Sequence, residues 1–203
     1  MKRDIRGISF DAFGTLVTAV GRSGPYQTLA TRARCDPRRF RIDAMTRNLT
    51  LAELALELGC GHISEELTAT LEAELETVVL YPEVAECLSL LDREGIPYAV
   101  CSNLGHGYGR KVVELVPGAR GYAMSYEVGA FKPDPRMYAA VADILDAPPS
   151  RIFFVGDTRK ADYDGPIEFG LRAAHLDRSS GDDLLSVVRR ALSDATDNPI
   201  LNK

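Results

Sequence analysis

The sequence predicts an α/β fold, a doubly wound parallel sheet carrying a small all-helical insertion. Three observations carry the prediction. Past Tyr81, short apolar runs alternate with stretches of helical periodicity, as parallel strands and their crossover helices do. One further apolar run stands near the start and ends in an acid, Asp11. Between these regions, from Tyr26 to Leu80, Leu and Ala recur at helical spacing with no convincing strand.

In order along the chain, the first strand covers 4–10 and is closed by Asp11 and the turn signal Gly14-Thr15. Residues 21–25 are rich in Gly and Ser and read as a loop or flap. The insertion follows, with three or four helices. Leu51, Leu54 and Leu58 form one apolar stripe, and Leu67, Leu71, Leu75 and Val78 form a second. Thr50 and Ser64 read as N-caps, and Gly59-Cys60-Gly61 as a helix end. After Pro82 the alternation begins. A helix over 83–94 ends at Gly95, a strand covers 96–101, and a helix over 108–116 stops at Pro117-Gly118. A short strand over 122–126, a helix over 135–145 and a strand over 152–155 come next. A helix closing at 167–170, a weaker strand over 172–176 and a last helix over 182–192 complete the pattern. The tail 194–203 is expected to fray.

Length and composition bound the function. A chain of 203 residues accommodates one domain, or a core domain with an insertion. A net charge of −5 argues against a surface built for nucleic acid, and the scattered Tyr and Phe offer no platform for stacking bases. No apolar run approaches the ~20 residues of a membrane span. Met1-Lys2-Arg3-Asp4 leads into an apolar stretch broken by Asp11, unlike a signal peptide. Cys35, Cys60, Cys87 and Cys101 lie far apart and lack zinc spacing. They read as reduced thiols of a cytoplasmic protein, monomeric or homodimeric. Charge is uneven in the insertion: seven arginines fall within 22–47, and seven glutamates with no Lys or Arg within 48–80. Two solvated helix faces that attract each other are one reading; arginines facing an anionic substrate are another.

The chemistry gathers where strands end. In an open parallel sheet, ligands bind outside the carboxyl ends of the strands. Asp11 follows the first strand, Ser102-Asn103 the second, and Asp157 and Asp162 the 152–155 strand. Lys132 lies in the loop Gly129-Ala130-Phe131-Lys132-Pro133-Asp134-Pro135. Carboxylates and backbone carbonyls suit Mg²⁺, a hard cation that prefers oxygen. A lysine and a hydroxyl can hold an anionic oxygen. An ionised Asp beside them can attack covalently.

Asp11-Ala12-Phe13-Gly14-Thr15-Leu16-Val17 resembles the first signature of the haloacid dehalogenase superfamily. Ser102, Lys132 within Lys-Pro-Asp-Pro, and Gly156-Asp157-Thr158-Arg159-Lys160-Ala161-Asp162 resemble its other three, in order. The resemblance covers essentially the whole chain. It implies a Rossmann-like core of residues 1–17 and 81–203 and a helical cap of residues 18–80. It also implies a role for each matching position. Asp11 is the nucleophile and Thr15 orients it. Ser102 binds the transferred group with support from Asn103, and Lys132 neutralises charge. Asp157, Asp11 and the backbone carbonyl of Phe13 hold Mg²⁺, while Asp162 orients the metal site. The implied substrate is a small anionic molecule, most simply a phosphorylated one.

One position departs from the pattern. Phosphatases of this superfamily usually carry a second Asp two residues after the nucleophile, as general acid and base; here that residue is Phe13. Loss of such a group typically costs roughly 10²–10⁴-fold. Three readings follow: a Mg²⁺-dependent phosphatase with another proton source or an easy leaving group, a metal-independent 2-haloacid dehalogenase, or a weakly active or regulatory protein on the same scaffold. The dehalogenase reading draws on Arg38, Arg39 and Arg41, about 30 residues past the nucleophile. It is opposed by Gly156-Asp157, where those enzymes carry Ser and Asn. His106, in the glycine-rich stretch Gly105-His106-Gly107-Tyr108-Gly109, is a candidate substitute acid or base.

Overall fold

A computed structural model of the chain describes residues 5–21 and 23–196, without the side chains of 194–196. The predicted strand start at Asp4, Arg22 and the tail 197–203 lie outside the described residues. The strands are β1 (Gly7–Phe10), β2 (Val17–Ala19), β3 (Val78–Leu80), β4 (Tyr98–Ser102), β5 (Gly121–Met124), β6 (Ile152–Gly156) and β7 (Arg172–His175). Five of them form a parallel sheet in the order β5-β4-β1-β6-β7. Strand β1 is central, with Ile8 opposite Tyr98 on one side and Phe153 on the other.

The sheet is covered on both faces, and the alternation of side chains along a strand decides which residue goes where. In β6, Ile152 and Phe154 pack with Met137, Tyr138 and Leu145. Phe153 and Val155 turn the other way, into the larger core with Phe10, Val100 and Leu91. Four helices lie between β2 and β3: α1 (Pro25–Arg32), α2 (Pro37–Thr46), α3 (Leu51–Glu57) and α4 (Ser64–Glu76). The rest alternate with strands: α5 (Val84–Glu94), α6 (His106–Leu115), α7 (Ser125–Val128), α8 (Pro135–Leu145), α9 (Gly165–Phe169) and α10 (Leu184–Thr196).

Several details differ from the sequence reading. The region 26–80 contains a strand after all: β3 pairs antiparallel with β2, Val17 opposite Leu80. Three consecutive apolar residues, Val78-Val79-Leu80, read as the end of a helical stripe because so short a strand shows no period. Ser64 does not cap α4; its hydroxyl donates back to the Gly61 carbonyl at 2.8 Å. Thr50 does cap α3, and Glu53 completes a capping box with it. The strand expected over 122–126 ends at Met124, because the Ser125 hydroxyl bonds both the N–H and the carbonyl of Leu104 and a helical turn begins. Helix α6 starts at His106, two residues earlier than expected. Its glycines serve close packing: a Cβ at Gly107 would lie 2.6 Å from Leu71, and one at Gly109 2.4 Å from Tyr126.

Candidate active site

The turn after β1 shapes the centre of the site. Asp11 still pairs with the sheet, its N–H donating to the Val155 carbonyl at 2.9 Å. The chain then reverses within a few residues, the N–H groups of Leu16 and Val17 both reaching back to the Ala12 carbonyl. Gly14 takes a φ of +84°, and a Cβ there would lie 1.9 Å from Asp157 Oδ2. A Cβ at Gly156 would likewise lie 2.5 Å from the Asp162 carboxyl carbon. Glycine at both positions lets two carboxylates approach the backbone.

Lys132 ties the rim together. Its ammonium lies 2.7 Å from Asp11 Oδ1 and 2.6 Å from Asp162 Oδ1, all three residues being buried. The Ser102 hydroxyl donates to the same Asp11 oxygen at 2.9 Å. Asn103 positions the lysine rather than reaching out: its side chain donates to the Lys132 carbonyl at 3.0 Å and accepts from the Lys132 N–H at 2.7 Å. Asp162 also accepts from the Thr158 N–H at 2.9 Å. Burial alone would lower the pKa of Lys132, but the Asp11 and Asp162 carboxylates more than reverse this and hold it above the usual lysine range. Burial pushes Asp162 up to about 6 against the pull of Lys132. Lost hydration and the Asp11 carboxylate raise Asp157 as well.

Ligand atoms of Asp11, Asp157 and Asp162 lie within 4.8 Å of one another. Three carboxylates share one ammonium, so negative charge is in excess. An all-oxygen donor set of this charge fits a hard divalent cation such as Mg²⁺. Asp164, two residues past Asp162, pairs with Arg159 at 3.0 Å.

Thr15 departs from its expected role. The Thr15 hydroxyl is buried without a hydrogen-bond partner, so it makes no hydrogen bond to Asp11. Backbone bonds of the turn hold that segment, including Thr15 N–H to the Ala12 carbonyl at 3.3 Å. Phe13 turns its ring onto Tyr108, edge to face, with centroids 5.7 Å apart. It forms a wall of a cavity of about 440 Å³ together with Tyr26, Phe40, Met45, Leu104 and Tyr108. Arg41, Gln27, Asn103 and Glu74 bring polar groups to the same lining. All three candidate arginines are exposed; Arg41 lines the cavity, whereas Arg38 and Arg39 stand outside its lining. His106 also lies outside that lining and packs its ring on Tyr126 at 5.4 Å.

Arg178 was not singled out by sequence. Its guanidinium donates to the carbonyls of Gly14 at 2.8 Å and Thr15 at 2.7 Å, pairs with Glu83 at 2.7 Å, and stacks 3.6 Å over the Tyr81 ring. It clamps the turn that follows the predicted nucleophile. The one available signal was its position just past β7, at the same rim of the sheet. His175, at the end of β7, contacts the Asp157 carbonyl through Nε2 at 2.8 Å.

The family model for haloacid dehalogenase-like hydrolases matches residues 5–170. The chain belongs to this family of hydrolases. No curated protein matches the sequence. Similar solved structures include a HAD phosphatase from Thermococcus onnurineus, 18% identical, with a TM-score of 0.64 over 92% of this chain and 97% of that one. A 2-haloacid dehalogenase from Pseudomonas syringae pv. Tomato is 17% identical, with a TM-score of 0.67 over 93% and 99%. A HAD family enzyme from Bacteroides thetaiotaomicron, in complex with magnesium and inorganic phosphate, is 18% identical, with a TM-score of 0.66 over 90% and 98%. At these identities the likeness speaks for the fold of this family hydrolase.

Proposed function

We propose that this hydrolase is a Mg²⁺-dependent phosphatase acting on a small phosphorylated molecule through an aspartyl-phosphate on Asp11. The observation that carries the reading is the cluster of Asp11, Asp157 and Asp162 within 4.8 Å, with Lys132 bonded to two of its three members. Asp11 is the nucleophile, and its carboxylate attacks phosphorus. Lys132 holds the Asp11 carboxylate in place and offsets charge on the transferred group. Ser102, now donating to Asp11, turns its hydroxyl to a phosphoryl oxygen, while Asn103 fixes the lysine backbone. Asp11, Asp157 and the Phe13 carbonyl are the groups to hold Mg²⁺, with Asp162 steadying Lys132 and the metal site. Bound there, the ion supplies positive charge opposite the reacting phosphoryl group. Helices α1–α4, within the proposed cap of residues 18–80, close over the rim and contribute substrate contacts. Among the described residues no helix is long and apolar enough to cross a membrane. We read the protein as cytoplasmic, monomeric or homodimeric, and without a nucleic-acid partner.

The similar structures of a HAD phosphatase and of a HAD family enzyme in complex with magnesium and inorganic phosphate support this reading. A second reading, 2-haloacid dehalogenase, is favoured by Arg41 lining the cavity beside Phe13. Halide leaves without a proton, and the dehalogenase among the neighbours shares the fold. Asp157 weighs against it, because a metal-independent reaction has no use for a third carboxylate there.

Phosphate and halide release from matched substrate panels, with and without Mg²⁺, separates the two. Phosphate release that needs Mg²⁺ and vanishes in Asp11→Asn is the expected result. Halide release indifferent to Mg²⁺ replaces the phosphatase with the dehalogenase. Mg²⁺ binding with silence in both panels leaves a non-catalytic role.

A further inference from the structure

The cavity beside Asp11 has the wrong chemistry for most phosphorylated metabolites. Phe13 lies two residues from the nucleophile, and Asn103, also in the lining, bonds the Lys132 backbone, so the cavity adjoins the rim. Its walls are aromatic and aliphatic: Phe13, Tyr26, Phe40, Met45, Leu104 and Tyr108. A sugar or glycerol moiety would set much of its hydroxylated surface against such walls, which is costly.

Apart from the buried, unpartnered Tyr26 hydroxyl, a weak acid that burial makes weaker still, the lining also lacks a group able to give up a proton to a departing oxygen. It contains no Asp, His, Lys or Cys. Its one carboxylate, Glu74, is occupied as an acceptor. Oε2 takes the Ser23 hydroxyl at 2.6 Å and the N–H groups of Ser23 at 2.8 Å and Gly24 at 3.2 Å, and Oε1 takes the Tyr108 hydroxyl at 2.8 Å. These bonds outweigh burial and hold Glu74 below the usual carboxylate range, so it is ionised. Tyr108 already directs its proton at Glu74. Arg41 is a permanent cation that can offset an anion but not protonate it.

We propose that the substrates are aryl phosphates, whose apolar ring occupies this cavity and whose phenolic oxygen leaves unprotonated. In this step the Asp11 carboxylate forms a bond to phosphorus, and the bond from phosphorus to the phenolic oxygen breaks. That oxygen leaves with the electron pair as a phenolate, within the cavity that Arg41 helps to line. Water then attacks phosphorus, releases inorganic phosphate, restores the Asp11 carboxylate and gives its proton to solvent. The proposal rests on the phosphatase reading and narrows it.

The test is a series of substituted phenyl phosphates of graded phenol acidity, set beside alkyl phosphates of similar size, with Asp11→Asn as control. For the intact enzyme, kcat/KM should fall steeply as the phenol becomes less acidic, and alkyl phosphates should lie at least ~100-fold below. In Phe13→Asp the dependence should flatten and alkyl turnover should rise by roughly 10–100-fold. Calorimetry on the unmodified protein gives a readout that needs neither turnover nor a variant. Benzylphosphonate should bind ~10-fold or more tighter than ethylphosphonate, from burial of the ring. Asp11-dependent release at equal rates from aryl and alkyl phosphates would overturn this inference and leave the phosphatase reading standing. No release above the Asp11→Asn control from any ester would overturn both.

Discussion

The rim around Asp11 and the cavity beside it are built on opposite principles. At the rim, charged groups are buried and cross-bonded: Lys132 spans Asp11 and Asp162, Ser102 joins Asp11, and Asn103 locks the Lys132 backbone. Each rotamer is held by a partner from another element. The cavity is walled largely by apolar rings and aliphatic side chains, with a few polar residues among them. A preorganised charge constellation suits a reaction that must be reproduced without reorganisation. An apolar recess suits recognition by shape and burial, which tolerates variation. The difference teaches that one region of this chain is fixed by cross-bonded charges, while the region next to it is defined by its apolar walls.

The largest effect that sharpens this contrast comes from Lys132→Met. It leaves the Asp11 and Asp162 carboxylates facing each other without a buried cation. Breaking a buried pair costs about 3–5 kcal/mol, so thermal unfolding should shift strongly downward and activity should vanish. A variant that folds normally would mean the rim is less tightly coupled than its geometry indicates. Next in size is the metal. Mg²⁺ at 100 times its Kd should stabilise the protein by about 2.7 kcal/mol, raising Tm. A chelator should reverse the shift, and Asp157→Asn should abolish it while leaving the fold intact.

Arg178 tests whether the turn between the two regions needs its clamp. Arg178→Lys loses the planar fork that serves the Gly14 and Thr15 carbonyls together. A displacement of the turn should lower kcat by roughly 10–100-fold with KM little changed. A rise in KM alone would place the clamp in binding instead. The smallest effect lies at the join of the regions, where Glu74 holds both the loop at Ser23-Gly24 and the Tyr108 hydroxyl. Its pKa is lowered from the usual 4.5, so its stabilisation is fully present above that value and is lost as pH falls through the folded pKa. The stability advantage of the natural protein over Glu74→Gln should therefore be flat near neutrality and shrink on acidification below about 4.5. A difference that is constant across that window would show Glu74 acting only through shape.

The same contrast explains what the sequence made legible. Asp11, Ser102, Asp157 and Asp162 could be placed at one rim because each follows a strand closely, and parallel strands bring their carboxyl ends together. Helix α8 was readable to the residue, since Asp134 caps it and Pro135 opens it. The cavity was not readable. Phe13 comes from the turn after β1, Phe40 and Met45 from α2, and Leu104 and Tyr108 from the segment after β4, so their meeting depends on how the helices settle on the sheet. Arg178 stayed hidden because its partners are backbone carbonyls more than 160 residues away, which leave no trace in residue type. Thr15 shows the converse: the motif is intact, yet its hydroxyl bonds nothing. Strands β2 and β3 were missed because three residues are too few to display a period of two.

The most direct test of the account is to quench the enzyme with acid during turnover of a radiolabelled aryl phosphate and to map the bound label. The account predicts label on the peptide containing Asp11, dependent on Mg²⁺ and absent from Asp11→Asn. Label on any other residue, or steady phosphate release without a labelled protein at any time point, would contradict it.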